Sequence, residues 1–255
     1  GEFGQVHGRW WLARCGRQDL GPCRSHDKHP PPAEVGGVKE VILECGHSMT
    51  EAPLPIPPNP APRCHALLPC AGSGSRAGTA APKQYQPVAG LPMVLHTLAA
   101  FQAVDRIERC LVVVSPGDRF LSVDDPHIQL ARVGGSTRAA SVFNGLQALL
   151  DSGADASDWV LVHDAARCLV SPSDIDALID AVLDDPVGGL LAVPVPDTLK
   201  AETQGRVLRT VDRQHQWLAQ TPQMFRVGDL QTALQAAQVQ GFAGITDEAS
   251  AIEAQ

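Results

Sequence analysis

From Cys64 onward the chain alternates short apolar runs with amphipathic stretches, and this alternation restricts its fold more than any other feature. The runs His65 to Pro69, Cys110 to Ser115, Trp159 to His163 and Gly189 to Val193 have the pattern of strands buried on both faces. Helical patterns lie around them: Pro92 toward Val104, Thr137 to Leu150, Ser173 to Leu183 with acidic residues in its first turn, a segment after Val227, and a last helix beginning near Asp247. Strand and helix in alternation predict an α/β fold, a mostly parallel sheet with helices on both faces. In such sheets ligands sit beyond the carboxyl ends of the strands, so the loops that follow the strands are where chemistry is expected.

Residues 1–62 read differently. Paired Trp10 and Trp11, the triple proline Pro30 to Pro32 and a second proline-rich tract from Pro53 to Pro62 carry little sustained period. Up to Ser48 there are six basic and six acidic residues, so the whole net charge of −8 belongs to the segment that begins at Met49, the first methionine. Residues 1–62 are therefore expected to be a non-core leader and proline-rich linker with a native start at Met49, and 63–255 the functional domain. Cys15, Cys23, His26, His29, Cys45 and His47 in the leader are zinc-ligating types, but seven residues separate Cys15 from Cys23. A structural zinc pair sits two to four apart, so chance composition explains them better.

The acidic balance, 28 Asp and Glu against 20 Lys and Arg, argues against a surface that tracks nucleic acid. No apolar stretch approaches the roughly 20 residues of a bilayer span. Seven cysteines scattered through 255 residues do not form the dense framework of a small secreted domain. A cytoplasmic protein is expected, meeting any phosphate with a few placed cations.

The loop after the first strand, Pro69-Cys70-Ala71-Gly72-Ser73-Gly74-Ser75-Arg76-Ala77-Gly78, followed by Pro82-Lys83-Gln84-Tyr85, has the composition of an anion cradle. Glycines let backbone N–H groups approach an anion, and Arg76 and Lys83 add positive charge. It lacks the Gly-Lys-Ser/Thr of a Walker loop, and its third glycine is one residue too late for a dinucleotide fingerprint. An ordinary flexible turn would have the same glycines. The strand at Trp159 ends in His163-Asp164-Ala165-Ala166-Arg167, which sets a carboxylate at the ligand edge. Asp164 suits a divalent cation shared with phosphate oxygens, since magnesium commonly takes one or two protein carboxylates; it equally suits a plain turn cap. His163 reads as a structural edge residue rather than a base.

These segments occur in order with Gly134-Gly135-x-x-Arg138-x-x-Ser141-Val142, Asp197-Thr198-x-Lys200, Thr210-Val211-Asp212-Arg213, Thr221-Pro222-Gln223 and Thr246-Asp247-Glu248-Ala249-Ser250. Together they make residues 64–255 resemble the 2-C-methyl-D-erythritol 4-phosphate cytidylyltransferases of the non-mevalonate isoprenoid pathway. The resemblance implies a Rossmann-like nucleotidyltransferase fold with a projecting β-arm at about 194–214, and Mg²⁺-dependent transfer of CMP from CTP to methylerythritol phosphate with release of pyrophosphate. It implies that Arg76 and Lys83 are catalytic, that Ala71, Gly72, Ser73, Gly74, Gly135 and Ser141 bind the nucleotide, that Asp164 holds the metal, and that Arg167, Thr198, Arg213 and Thr221 bind the acceptor. It also implies a homodimer that exchanges the arm; the residues alone would make that segment a surface hairpin.

Three departures stand out. Cys70 replaces the usual alanine and sets a thiol near the nucleotide, and Cys168 replaces a proline after Arg167, loosening the turn there. The chain also stops at Gln255, before the family's Asn-x-Lys-x-Thr segment, so a truncated C-terminal end is expected. A ribitol 5-phosphate cytidylyltransferase and a non-catalytic nucleotide-binding module are the alternative readings.

Overall fold

The computed structural model describes residues 3–5, 11–14, 62–72 and 82–255. The leader's cysteines and histidines, Met49, and Ser73, Gly74 and Arg76 of the first loop lie outside the described residues.

Eight of the described strands build one mixed sheet around a parallel block. β3 (Cys64–Pro69) lies between β6 (Ile107–Val113) and β8 (Trp159–Val162), parallel to both, and β7 (Ile128–Ala131) extends the block beyond β6. β12 (Trp217–Arg226) runs antiparallel between β8 and β9 (Gly188–Pro194). On the far side of β9 the leader's β2 (Trp11–Arg14) adds antiparallel, and β1 (Phe3–Gln5) pairs with β2. Two short pieces of the segment expected to be non-core thus join the sheet edge. The hairpin β4 (Pro87–Val88) and β5 (Leu91–Pro92) stands apart from it.

Residue alternation divides the core into two layers, because successive side chains of a strand face opposite ways. On one face Ala66, Leu68, Val112, Trp159 and Leu161 pack against α1 (Met93–Gln102) and α3 (Pro172–Val182). On the other Leu67, Leu111, Val113, Val160 and Val162 meet α2 (Arg138–Asp151), α4 (Val227–Gln238) and α5 (Glu248–Glu253). Gly145 lets α2 sit close to the sheet: a Cβ there would lie 2.6 Å from Val113 Cγ2 and 3.0 Å from Leu67 Cδ1. The ends of the helices follow sequence rules. The Thr137 side chain accepts from Ala140 N at the start of α2, Ser171 accepts from Asp174 N at α3, and Asp247 forms a reciprocal capping box with Ser250 at α5.

The expected strands and helices appear where the periodicity put them, within a few residues. The arm is an exposed hairpin, β10 (Leu199–Thr203) with β11 (Arg206–Val211), inside the anticipated 194–214 segment. Not anticipated were β7, with one fully buried residue in four, and β12, which carries polar Gln220, Thr221 and Gln223 among its apolar residues. Among the described residues no helix is long and apolar enough to cross a membrane.

At the end of the sheet opposite the ligand edge, a buried carboxylate ties β3 to β8. Asp158 accepts from Arg63 N (2.8 Å), Arg63 Nη2 (2.8 Å), Asp155 N (2.8 Å) and His65 Nε2 (3.2 Å). Burial disfavours its charge, but these donors prevail and hold its pKa at about 2. A depressed carboxyl stabilises the fold above its unfolded value and loses that contribution as pH falls toward its folded value, here between about 4 and 2. Asp158→Asn is expected to cost about 2 kcal/mol at pH 7. Urea unfolding at pH 7, 4 and 3 checks it: the gap between wild type and variant should narrow with acidification, and a constant gap contradicts the assignment.

Candidate functional site

At the carboxyl ends of β3 and β8 opens a cleft of about 460 Å³, lined by Ala71, Gly72, Gln84, Gly135, Ser136, Thr137, Arg138, Ser141, Asp164 and Ala165 among others. That size suits a small ligand. Three sequence-distant segments build it: the loop after β3, the loop that enters α2, and the turn after β8.

The first two segments are packed directly together. A Cβ on Gly134 would lie 2.3 Å from Ala71 Cβ and 2.9 Å from Val114 O, so only glycine permits this approach. Beyond it, Ser141 Oγ accepts from Gly135 N (3.0 Å) and donates to Thr137 O (2.9 Å), which pins the loop onto the first turn of α2. Ser141, expected to meet the nucleotide, is thus buried and already employed in shaping the loop.

The third segment centres on Asp164. Arg138 Nε donates to Asp164 Oδ1 at 2.8 Å, and Arg167 Nε donates to Asp164 Oδ2 at 2.9 Å. Burial opposes ionisation of this carboxyl, yet Arg138 and then Arg167 outweigh it and hold its pKa below the ordinary range. Arg138 spends its other two nitrogens on Glu248 of α5, at 2.6 and 3.0 Å, a bidentate pair whose carboxylate is fully buried. Burial works against the charge on Arg138, but Glu248 and Asp164 together keep it protonated well above its usual pKa. One guanidinium therefore links α2, α5 and the turn after β8.

β12 supports both ends of this network. Thr221 Oγ1 lies 3.0 Å from His163 Nδ1 and accepts from Asp164 N at 3.3 Å. His163 Nε2 faces Arg167 O at 3.1 Å, and a carbonyl can only accept, so Nε2 carries the proton and Nδ1 accepts from Thr221. Burial pushes the His163 pKa down to about 4, which keeps the ring neutral and makes it the structural edge residue expected from sequence. Two residues along, Gln223 donates to Asp247 Oδ2 (2.8 Å) and accepts from Ala249 N (2.8 Å), which seats α5 and with it Glu248.

Of the anticipated site residues, the cleft gathers Ala71, Gly72, Gly135, Ser141 and Asp164. Arg167 joins through Asp164, while its Nη1 donates to Gln220 Oε1. Thr221 is buried beneath the turn, its hydroxyl shared by His163 and Asp164. Lys83 is exposed beside Gln84, which lines the cleft. Thr198 and Arg213 lie on the exposed arm and do not line the cleft; Arg213 Nη1 donates to Pro196 O at the arm's base. Cys70 is corrected from a thiol near the nucleotide to a core thiol: it is 2% exposed, its Sγ lies 3.7 Å from Tyr85 Oη, and burial pushes its pKa up to about 12. The turn before Cys168 is braced by Arg167 N on Asp164 O (2.9 Å) and Thr97 Oγ1 on Ala165 O (3.0 Å), and the one that follows Arg167 is closed by Val170 N on Arg167 O (3.4 Å).

Arg138 and Glu248 carried no role in the sequence reading. The available signal was a cation at the first position of a helix, where the dipole disfavours positive charge and some nearby anion must compensate.

Comparison with known proteins identifies the family. The family profile described as "IspD: 2-C-methyl-D-erythritol 4-phosphate cytidylyltransferase" matches residues 64–255. The chain is 55% identical over 196 residues to the 2-C-methyl-D-erythritol 4-phosphate cytidylyltransferase of Laribacter hongkongensis, covering 75% of this chain and 83% of that protein. It is 60% identical over 210 residues to a "Bifunctional enzyme IspD/IspF" of Albidiferax ferrireducens, covering 81% of this chain but spanning only about half (49%) of that longer relative. The crystal structure of the Francisella tularensis 2-C-methyl-D-erythritol 4-phosphate cytidylyltransferase superposes with a TM-score of 0.65 at 33% identity, over 75% of this chain and 86% of that one. A profile that matches residues 64–255 and a relative 55% identical over 83% of its own length show that the chain belongs to the 2-C-methyl-D-erythritol 4-phosphate cytidylyltransferase family.

Proposed function

We propose that this chain transfers CMP from CTP to 2-C-methyl-D-erythritol 4-phosphate, yielding 4-diphosphocytidyl-2-C-methyl-D-erythritol and pyrophosphate. The observation that carries the reading is the convergence of the glycine loop, the start of α2 and the Arg138–Asp164–Arg167 network on one cleft. In the reaction an acceptor phosphate oxygen bonds to the α-phosphorus of CTP, the bond from that phosphorus to the bridging oxygen breaks, and pyrophosphate leaves with the electron pair.

The acceptor phosphate is already ionised at neutral pH, so the nucleophile needs no general base, and neutral His163 provides none. What the protein must overcome is repulsion between two anions, which fixed donors and cations offset. Backbone N–H groups of Ala71, Gly72, Ser73 and Gly74 serve the nucleotide, Gly135 and Ser141 shape the wall near base and ribose, and Arg76 and Lys83 stabilise charge growing on the departing pyrophosphate. Arg167, held on Asp164, meets the acceptor's phosphate in this reading. Thr221 acts from below, by orienting the Asp164 backbone.

Among the described residues no three His, Cys, Asp or Glu side chains converge as a metal cluster. Asp164 alone fits a magnesium that arrives with the triphosphate rather than one resident in the protein, because each of its oxygens keeps an acceptor position beyond its guanidinium partner. When bound, magnesium would supply charge neutralisation on the phosphates.

Thr198 and Arg213 project on an arm whose Val207 and Leu208 are about two-thirds exposed (66% and 64%). We read the arm as reaching the cleft of a second copy, which makes the working unit a homodimer.

Pyrophosphate release should require CTP, methylerythritol phosphate and Mg²⁺ together. Release with ribitol 5-phosphate instead would favour the related acceptor, and CTP binding with no release for either polyol phosphate would contradict the enzyme reading. Asp164→Asn is expected to lower kcat/KM at least about a hundredfold while leaving the circular dichroism spectrum intact.

The arm reading has its own test. If Arg213 serves the partner's cleft, mixing inactive Asp164→Asn and Arg213→Ala chains after mild unfolding should restore about a quarter of wild-type activity, since half the dimers would carry one intact cleft of two. No recovery on mixing would place Arg213 in its own chain's cleft.

A further inference from the structure

The first loop has a feature that its composition does not announce. Three consecutive carbonyl oxygens at its start are each held by a side chain: Gln84 Nε2 donates to Cys70 O and to Gly72 O, both at 2.9 Å, and Ser115 Oγ donates to Ala71 O at 3.0 Å. A carboxamide nitrogen has two hydrogens, so Gln84 spends its whole donor capacity on this stretch. Gln84 is buried, and its position is set from both sides. Lys83–Tyr85 forms a single 3-10 turn, and Tyr85 Oη donates to Asp118 Oδ2 at 2.6 Å while its ring stacks on Phe120 at 5.1 Å.

The direction of these bonds matters for an anion. In a trans peptide the carbonyl and the next N–H point to opposite sides. Drawing the Cys70 oxygen onto Gln84 and the Ala71 oxygen onto Ser115 therefore turns the N–H groups of Ala71 and Gly72 the other way. Among the described residues those two N–H groups have no hydrogen-bond acceptor, whereas Cys70 N donates to Val113 O at 2.7 Å. Ala71, Gly72 and Gln84 all line the cleft. A carbonyl left to rotate into the cleft would present negative charge to a phosphate; a held carbonyl leaves donors there instead.

We infer that Gln84, assisted by Ser115, is a positioning residue that makes the loop phosphate-selective, by holding carbonyl oxygens back so that consecutive N–H groups face the nucleotide's phosphates. This rests on the nucleotide-binding reading above. Gln84 itself touches no reacting atom.

Gln84→Met keeps the length and packing of the side chain and removes both donors, and Gln84→Glu replaces them with acceptors. Calorimetric titration of wild type and variants with cytidine, CMP, CTP and pyrophosphate tests the inference. With Gln84→Met the loss of affinity should grow with phosphate content, from under twofold for cytidine to about tenfold or more for CTP and pyrophosphate, two donated bonds being removed. Gln84→Glu should lose more, and KM for the acceptor should stay within about twofold. An equal loss from cytidine to CTP, or CTP affinity within twofold of wild type, overturns it. Should Gln84→Met fail to fold by circular dichroism, Ser115→Ala decides, with the same phosphate-graded loss expected at smaller size and an ungraded one contradicting it. Wild type that binds no CTP would instead remove the nucleotide reading, and this inference with it.

Discussion

Everything at the ligand edge leans on one partly buried guanidinium. Arg138 occupies the first position of α2, where the helix dipole is unfavourable to it, and is paid for by two carboxylates from elsewhere in the chain, Asp164 and Glu248. Removing Arg138 would leave the buried Glu248 carboxylate without its partner, and an uncompensated buried charge typically costs about 3–5 kcal/mol. The network is therefore poor material for general stability and good material for holding a geometry. It fixes the one carboxylate that lines the cleft among the described residues, in a defined direction and fully charged.

The opposite end of the sheet solves a different problem with similar chemistry. Asp158 is surrounded by donors from Arg63, Asp155 and His65, and joins two neighbouring parallel strands at their amino ends. That arrangement registers β3 against β8 and so fixes where their far ends release the chain into the loop at Cys70 and the turn at Asp164. β12 then carries the supports: Thr221 beneath the turn and Gln223 against α5. The polar residues of that strand, which spoil its pattern as a core element, are the ones that position the cleft.

This explains what could be read from the sequence and what could not. The strands β3, β6, β8 and β9 and the helices α1 to α5 announce themselves because each buries an apolar face. β12 does not, since Gln220, Thr221 and Gln223 interrupt its apolar period, and β7 is too short to show one. Asp164 was legible from its place after a buried strand, and the loop at Gly72 from its glycines. Arg138, Glu248 and Gln84 were not given roles, because their importance lies in partners 26, 110 and 12 to 14 residues away that only the fold brings near. Ser141 and Thr221 were legible as site residues for a contact with ligand, whereas their hydroxyls are engaged in orienting backbone.

Arg138 makes Asp164 and Glu248 act as one unit although the two carboxylates bond to different nitrogens of it. A double-mutant cycle on kcat/KM for CTP, with Asp164→Asn, Glu248→Gln and the pair, measures that directly. A linked unit predicts that the second substitution costs at least about 1 kcal/mol less once the first is present. Losses that simply add would contradict it, and would leave Asp164 independent of the bridge that defines this cleft.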